Sequence, residues 1–180
     1  MLETFIIIKV SIVYKYFNTL LTKFNSMIKI YTDGSAKGNP GNGGYGVVMR
    51  FNEKEKEMSQ GYRMTTNNRM ELLAVIVALE SLKTNKHQIK IFSDSKYVID
   101  SIDKKWVFAW EKKNFKGKKN ADLWKRYLKI HANFKIEFNW VKGHNGHPEN
   151  ERCDVLAVNA ADSGNYLIDQ FFEDLQKKEN

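Results

Sequence analysis

The sequence predicts a mixed α/β fold, a sheet of antiparallel and parallel strands covered on its faces by helices, from two observations. Three strand-like segments come first, grouped between residues 28 and 64. Helical segments then alternate with two more strand candidates, at 89–93 and 135–141. Grouped strands followed by alternation give the order β, β, β, α, β, α, α, β, α, which suits one mixed sheet between helical layers.

Each element has a local reason. Residues 28–32 are β-branched and aromatic, and Asp33-Gly34-Ser35 supplies turn residues to end that strand. A glycine-rich stretch at 38–46 leads into an apolar run at 45–51. A charged turn at 52–57 and a strand at 58–64 complete an antiparallel meander. Residues 70–82 are apolar with no internal Pro or Gly, and Asn67 and Asn68 stand ready as caps, so this is a buried helix. Helices follow at 95–102 and 122–132, separated by a lysine-rich stretch with aromatics at 106–120. After the strand at 135–141, a glycine-containing loop at 142–147 precedes Pro148, which opens a last core helix through Ala161. There is no internal repeat. The tail from Gly164 is short and amphipathic.

A chain of 180 residues fits a single domain, divided here into an extension (1–26), a core unit (27–162) and a tail (163–180). A net charge of +8 favours a polyanionic partner or an anionic surface. Cys153 is the only cysteine, so no internal disulfide forms, and the expectation is a cytoplasmic monomer. The apolar run at 5–13 resembles a secretion signal only at first sight. Glu3 sits where positive charge belongs, Lys9 interrupts the run, and no small-residue cleavage site follows before Ser26. The run is also too short to span a bilayer. Residues 1–26 are therefore expected to be an appendage or a misplaced start ahead of Met27.

Four acids fall at element ends or on apolar faces: Asp33, Glu71, Asp94 and Asp154. Singly, each has an ordinary explanation. Asp33 fits an Asp-Gly turn, Asp94 a helix cap, and Glu71 a helix dipole. Yet Glu71 shares its face with Ala74, Val75 and Ala78, and Asp154 shares its own with Ala157, Val158 and Ala161. Carboxylates directed into a core either take a proton or meet a cation. Two Mg²⁺ ions would neutralise four such acids, and a two-ion site suits in-line displacement at phosphorus, hence phosphodiester hydrolysis. No nucleophile elbow is present, and the glycine stretch lacks the Gly-Lys-Ser/Thr ending of a phosphate loop.

Five motifs together resemble the bacterial type 1 ribonucleases H. They are Tyr-Thr-Asp-Gly-Ser (31–35), Gly-Asn-Pro-Gly-Asn-Gly-Gly-Tyr-Gly (38–46), Thr-Thr-Asn-Asn-Arg-Met-Glu-Leu (65–72), Ser-Asp-Ser (93–95) and Trp-Val-Lys-Gly-His-Asn-Gly-His-Pro-Glu-Asn-Glu-Arg-Cys-Asp (140–154). They occur in the family's order and span residues 28–161. The resemblance implies a ribonuclease H-like fold, a five-stranded mixed sheet (three antiparallel strands, then parallel ones) with helices on both faces. It implies an endonuclease that cuts the RNA strand of RNA/DNA hybrids with two Mg²⁺ ions, Mn²⁺ being a substitute, and leaves 5′-phosphate and 3′-hydroxyl ends. It makes Asp33, Glu71, Asp94 and Asp154 the metal ligands and His144 the loop histidine that aids proton transfer or product release. A zinc site at His144, His147 and Cys153 is the rival reading. A structural zinc site needs a fourth N or S ligand, and His131 is remote in sequence.

An enzyme that spares DNA must sense the 2′-hydroxyl. By the same resemblance Asn39, Asn67 and Asn68 serve there, and Thr66 with Asn67 helps hold a DNA phosphate. Seven lysines stand between Asp103 and Asn120, interleaved with Trp106, Trp110 and Phe115. This suits a nucleic-acid backbone, with Trp106, Lys112 and Lys113 as contacts and Trp110 in the core. The family's basic protrusion lies here and is shortened around 116–120. Related exonucleases carry a second acid two residues after the first aspartate, where this chain has Ser35; integrases lack the helical glutamate. A non-catalytic hybrid-binding module on the same scaffold is the alternative, and the presence of all four acids and His144 argues against it.

Overall fold

A computed structural model describes residues 27–179, and the reading of residues 1–26 as an appendage lies outside them. The sheet has six strands: β1 (Met27–Gly38), β2 (Gly41–Phe51), β3 (Lys54–Thr65), β4 (Gln88–Ser93), β5 (Ile136–Trp140) and β6 (Tyr166–Leu167). The helices are α1 (Asn67–Glu80), α2 (Lys96–Asp103), α3 (Trp106–Lys112), α4 (Ala121–His131), α5 (Pro148–Asp162) and α6 (Gln170–Glu179). Strand order is β5-β4-β1-β2-β3-β6. The meander β1-β2-β3 is antiparallel, while β4 joins β1 and β5 joins β4 in parallel. The expected five-stranded sheet is present, and the tail extends it with β6, parallel to β3.

Three local readings are corrected by tertiary pairing. Asp33-Gly34-Ser35 does not end the first strand, because β2 pairs along its whole length, Asp33 opposite Gly46 through Gly38 opposite Gly41. The turn falls at Asn39-Pro40 instead. The charged stretch 52–57 is a turn only at Asn52 and Glu53. Residues 54–57 pair with the end of β2 and hold their charges in solvent. The lysine-rich segment contains α3, whose Val107 is buried, so the four-residue spacing of Trp106 and Trp110 is a helical repeat.

The N-terminal cap of α1 is Thr66, whose hydroxyl accepts from the Arg69 N–H at 3.4 Å. Asn67, expected as a cap, is the first helical residue. The cap of α2 is Ser95, accepting from the Val98 N–H at 3.4 Å, which leaves the neighbouring Asp94 free of that duty.

Helices pack on opposite faces, and two glycines set how closely. A Cβ on Gly34 would stand 2.2 Å from the Glu71 backbone nitrogen, so α1 rests directly on β1. On the other face a Cβ on Gly46 would stand 2.1 Å from the Cys153 carbonyl oxygen, so α5 rests on β2 with equal closeness. The core between α1 and the sheet includes Ile30, Val47, Leu72, Ile76, Ile89 and Ile91, and extends to Trp124 and Tyr127 of α4. Among the described residues no helix is long and apolar enough to cross a membrane.

The tail is keyed to α1. Arg69, 1% exposed, donates to both Asp122 and Asp169, and its guanidinium lies against the rings of Phe171 and Phe172. A buried guanidinium needs such paired acceptors, which explains why α6 stays docked.

Candidate active site

Sheet register brings the first two acids together. Thr32 pairs with Ser93 in the parallel β1-β4 ladder, so Asp33 and Asp94 each follow that pair by one residue. The glycine contacts supply the other two, since Gly34 admits α1 carrying Glu71 and Gly46 admits α5 one residue from Asp154. Carboxylate oxygens of Asp33, Glu71 and Asp94 lie within 4.8 Å of one another. Asp154 stands outside that tight trio but lines the same open cavity of about 440 Å³, with Ser35, Asn67, Asn68, Ser95, Lys96, Tyr97 and His144.

Electrostatics follow from this crowding. Burial is the main cause that lifts the Asp33 carboxyl to about 7, followed by the negative charge of Asp94; the Gly34 N–H, donating at 2.8 Å, works against them. Glu71 is pushed well above the usual carboxylate range, again first by burial and then by Asp33 and Asp94. Its Oε1 accepts from Asn67 Nδ2 at 3.4 Å, and its Oε2 is buried with no partner. Unpartnered buried acceptors facing other acids are what a divalent cation with hard oxygen ligands would satisfy. Among the described residues this is the one cluster with metal-ligand spacing. Cys153 is buried and its thiol is raised chiefly by burial, while His144 and His147 are exposed, so the zinc alternative gains no support.

The predicted binding residues divide into three groups. Asn67 and Asn68 line the acidic cavity. Asn39, Thr66 and Asn68 line an adjoining cavity of about 360 Å³, together with Asn120, Phe171 and Leu175. Asn39 Oδ1 accepts from the Asn67 backbone N–H at 3.4 Å and so ties the glycine-rich turn to the start of α1. Trp106 and Lys112 on α3, with Lys113 at its C-terminal cap, lie apart and line neither cavity. Trp106 is 43% exposed beneath the Lys104 ammonium, and both lysines are exposed. Trp110 is half-buried, edge-on to Trp124 at 6.0 Å, as expected for a core residue. His144 lies exposed in the loop after β5, in a left-handed backbone conformation (φ 50°), at the rim of the acidic cavity.

Sequence reasoning missed two residues here. Asn150, 3% exposed on α5, donates from Nδ2 to Asp94 Oδ2 at 3.3 Å, and its Oδ1 is buried without a partner. Its position one helical turn before Asp154 was the available signal. Lys96 lines the acidic cavity directly after the Ser-Asp-Ser motif.

Comparison with known proteins agrees with this geometry. The RNase H family model matches residues 25–162. The chain is 52% identical over 147 residues to a ribonuclease H of Desulforamulus reducens, covering 79% of this chain and 92% of that protein. It is 48% identical over 151 residues to a ribonuclease H of Rippkaea orientalis, covering 81% and 92%. Among solved structures, LC9-RNase H1, described as a type 1 RNase H with the type 2 active-site motif, superposes with a TM-score of 0.70 at 30% identity, covering 78% of this chain and 74% of its own. LC11-RNase H1, solved in complex with an RNA/DNA hybrid, superposes with a TM-score of 0.59 at 27% identity, covering 76% and 98%. The match across both the sheet and the acid-bearing segments shows that the chain belongs to the RNase H family.

Proposed function

We propose that this chain cuts the RNA strand of RNA/DNA hybrids endonucleolytically, leaving 5′-phosphate and 3′-hydroxyl ends. The observation that carries the reading is the gathering of Asp33, Glu71 and Asp94 oxygens within 4.8 Å, with Asp154 on the same cavity wall. Asp33, Glu71, Asp94 and Asp154 are the residues that would hold two Mg²⁺ ions, or Mn²⁺ in their place. When bound, such ions neutralise the acids, activate water and stabilise the departing oxygen.

The remaining steps belong to the chain's own groups. Water attacks phosphorus, the bond from phosphorus to the 3′ oxygen breaks, and that oxygen leaves with a proton. His144 carries protons at its ring nitrogens between cavity and solvent and assists product release. Asn67 and Asn68 flank the acids where a 2′-hydroxyl would lie, and Asn39 holds the loop that faces them. Thr66 and Asn67 hold a phosphate of the DNA strand, whereas Trp106 and Lys112 of α3 and Lys113 at its end follow its backbone further along. The catalytic unit is 27–162, acting as a cytoplasmic monomer.

Cleavage of a labelled hybrid, with duplex DNA and duplex RNA as controls and with or without Mg²⁺, tests this. Metal-dependent cleavage confined to the RNA of the hybrid is expected. Equal cleavage of all three substrates would defeat the specificity, and tight hybrid binding without cleavage would leave only a binding module.

A further inference from the structure

Lys96 is placed against its own stability. It is the first residue of α2, where the helix dipole disfavours a cation, and the first turn of α2 carries no acid to compensate. It lines the cavity that holds all four predicted ligand acids, yet it takes part in none of the ion pairs among the described residues. Its ammonium instead sits over the Trp140 ring, 5.2 Å from the centroid. Trp140 in turn is held to the site, since its Nε1 donates to the Asp94 carbonyl at 3.1 Å while 47% of the residue stays exposed. A positive group at the mouth of an acidic cavity, held away from the acids on an aromatic face, remains available to an incoming anion.

We propose that Lys96, positioned by Trp140, binds a backbone phosphate of the RNA strand next to the bond being cut. The inference rests on the nuclease reading above and deepens it. The strand is assigned by location. Lys96 shares its cavity with the carboxylates, and the phosphodiester at the carboxylates belongs to the strand that is cut. Thr66, assigned to a phosphate of the DNA strand, lines the adjoining cavity, which does not include Lys96.

Hybrid affinity is measured against salt concentration in a cleavage-deficient Asp33→Asn background, for Lys96 and for Lys96→Gln and Lys96→Arg. Loss of one phosphate contact should flatten the slope of log affinity against log salt by about 0.7–0.9 in Lys96→Gln and leave it in Lys96→Arg. In the active enzyme Lys96→Gln should raise KM roughly threefold to tenfold with kcat held, and Trp140→Leu should fall between Lys96→Gln and the parent. Hybrids with one methylphosphonate in turn along the RNA strand, and a second set with one in turn along the DNA strand, then locate the contact. The parent loses affinity at one position near the cut to which Lys96→Gln is indifferent. Unchanged slope and KM in Lys96→Gln, or a matching position found only in the DNA strand, overturns the subsite. A fall in kcat alone also overturns it, because the lysine would then act on the acids. If the parent enzyme cleaves no hybrid at all, the nuclease reading itself has failed, which is a separate outcome.

Discussion

Arg69 and Asp169, 100 residues apart in the chain, meet through two hydrogen bonds of 2.6 and 2.8 Å. The arginine lies two residues before Glu71, and the aspartate lies in the tail beyond the family match at 25–162. The pair therefore fastens the last helix to the element that presents a site acid. Asp169→Ala leaves a buried guanidinium with Asp122 as its remaining acid. We expect a loss of about 1–3 kcal/mol, or roughly 3–10 °C in Tm for a chain of this size. A thermal melt within about 1 °C of the parent would show that the tail docks by its apolar contacts alone.

The pH dependence of stability in the absence of metal follows from Asp33. Its folded value of about 7 exceeds the unfolded 3.8, so between them the folded state holds a proton that the unfolded state has released. Stability from this group therefore falls as pH rises through that window and is lowest above it. Asp33→Asn should reduce the slope, Glu71 keeping its own contribution of the same sign, and gain roughly 1–3 kcal/mol at pH 8 without metal, while turnover is abolished. Denaturant melts at pH 5 and pH 8 check this. A parent protein more stable at the higher pH, or a variant that fails to fold, would refute it.

Asn150, buried on α5, donates to Asp94 Oδ2 and is placed to orient that carboxylate. Asn150→Ala should lower kcat and weaken the apparent metal requirement constant by about tenfold, with the hybrid KM unchanged. Steady-state rates over a Mg²⁺ titration separate the two parameters. If neither moves, the 3.3 Å hydrogen bond has no functional weight.

Gly46→Ala directs a methyl group into the Cys153 carbonyl oxygen, 2.1 Å away, with Leu156 Cβ at 2.8 Å and the Ala157 backbone nitrogen at 2.9 Å. Helix α5 must move off the sheet, at a cost of about 1–3 kcal/mol. Because α5 carries Asp154 and Asn150, activity at a temperature where the variant stays folded should fall as well. Full activity and a parental melting curve together would mean that α5 has slack on β2.

Much of the architecture could be read locally. The helix at 70–82 and the last helix from Pro148 were marked by apolar content and by the absence or placement of Pro and Gly, because those preferences act within a few residues. Asp33-Gly34-Ser35 misled for the same reason. Its composition favours a turn, but ten paired residues with β2 outweigh it, and Gly34 is small because a helix rests there. Helix α3 and strand β6 were missed because a seven-residue helix and a two-residue strand carry too little periodic signal.

By itself the sequence determined the kind of chemistry. Four acids stand in apolar or element-terminal positions, Asn67 and Asn68 stand ahead of one of them, and a basic excess points to a polyanion. Tertiary structure alone decided that strand register sets Asp33 beside Asp94, and that two glycines let α1 and α5 close on the sheet from opposite faces. It alone placed Lys96 on Trp140 and Asn150 on Asp94. The physical reason is range: propensity and charge belong to single residues and their near neighbours, whereas a raised carboxyl and a shared cavity arise only when distant segments exclude water together.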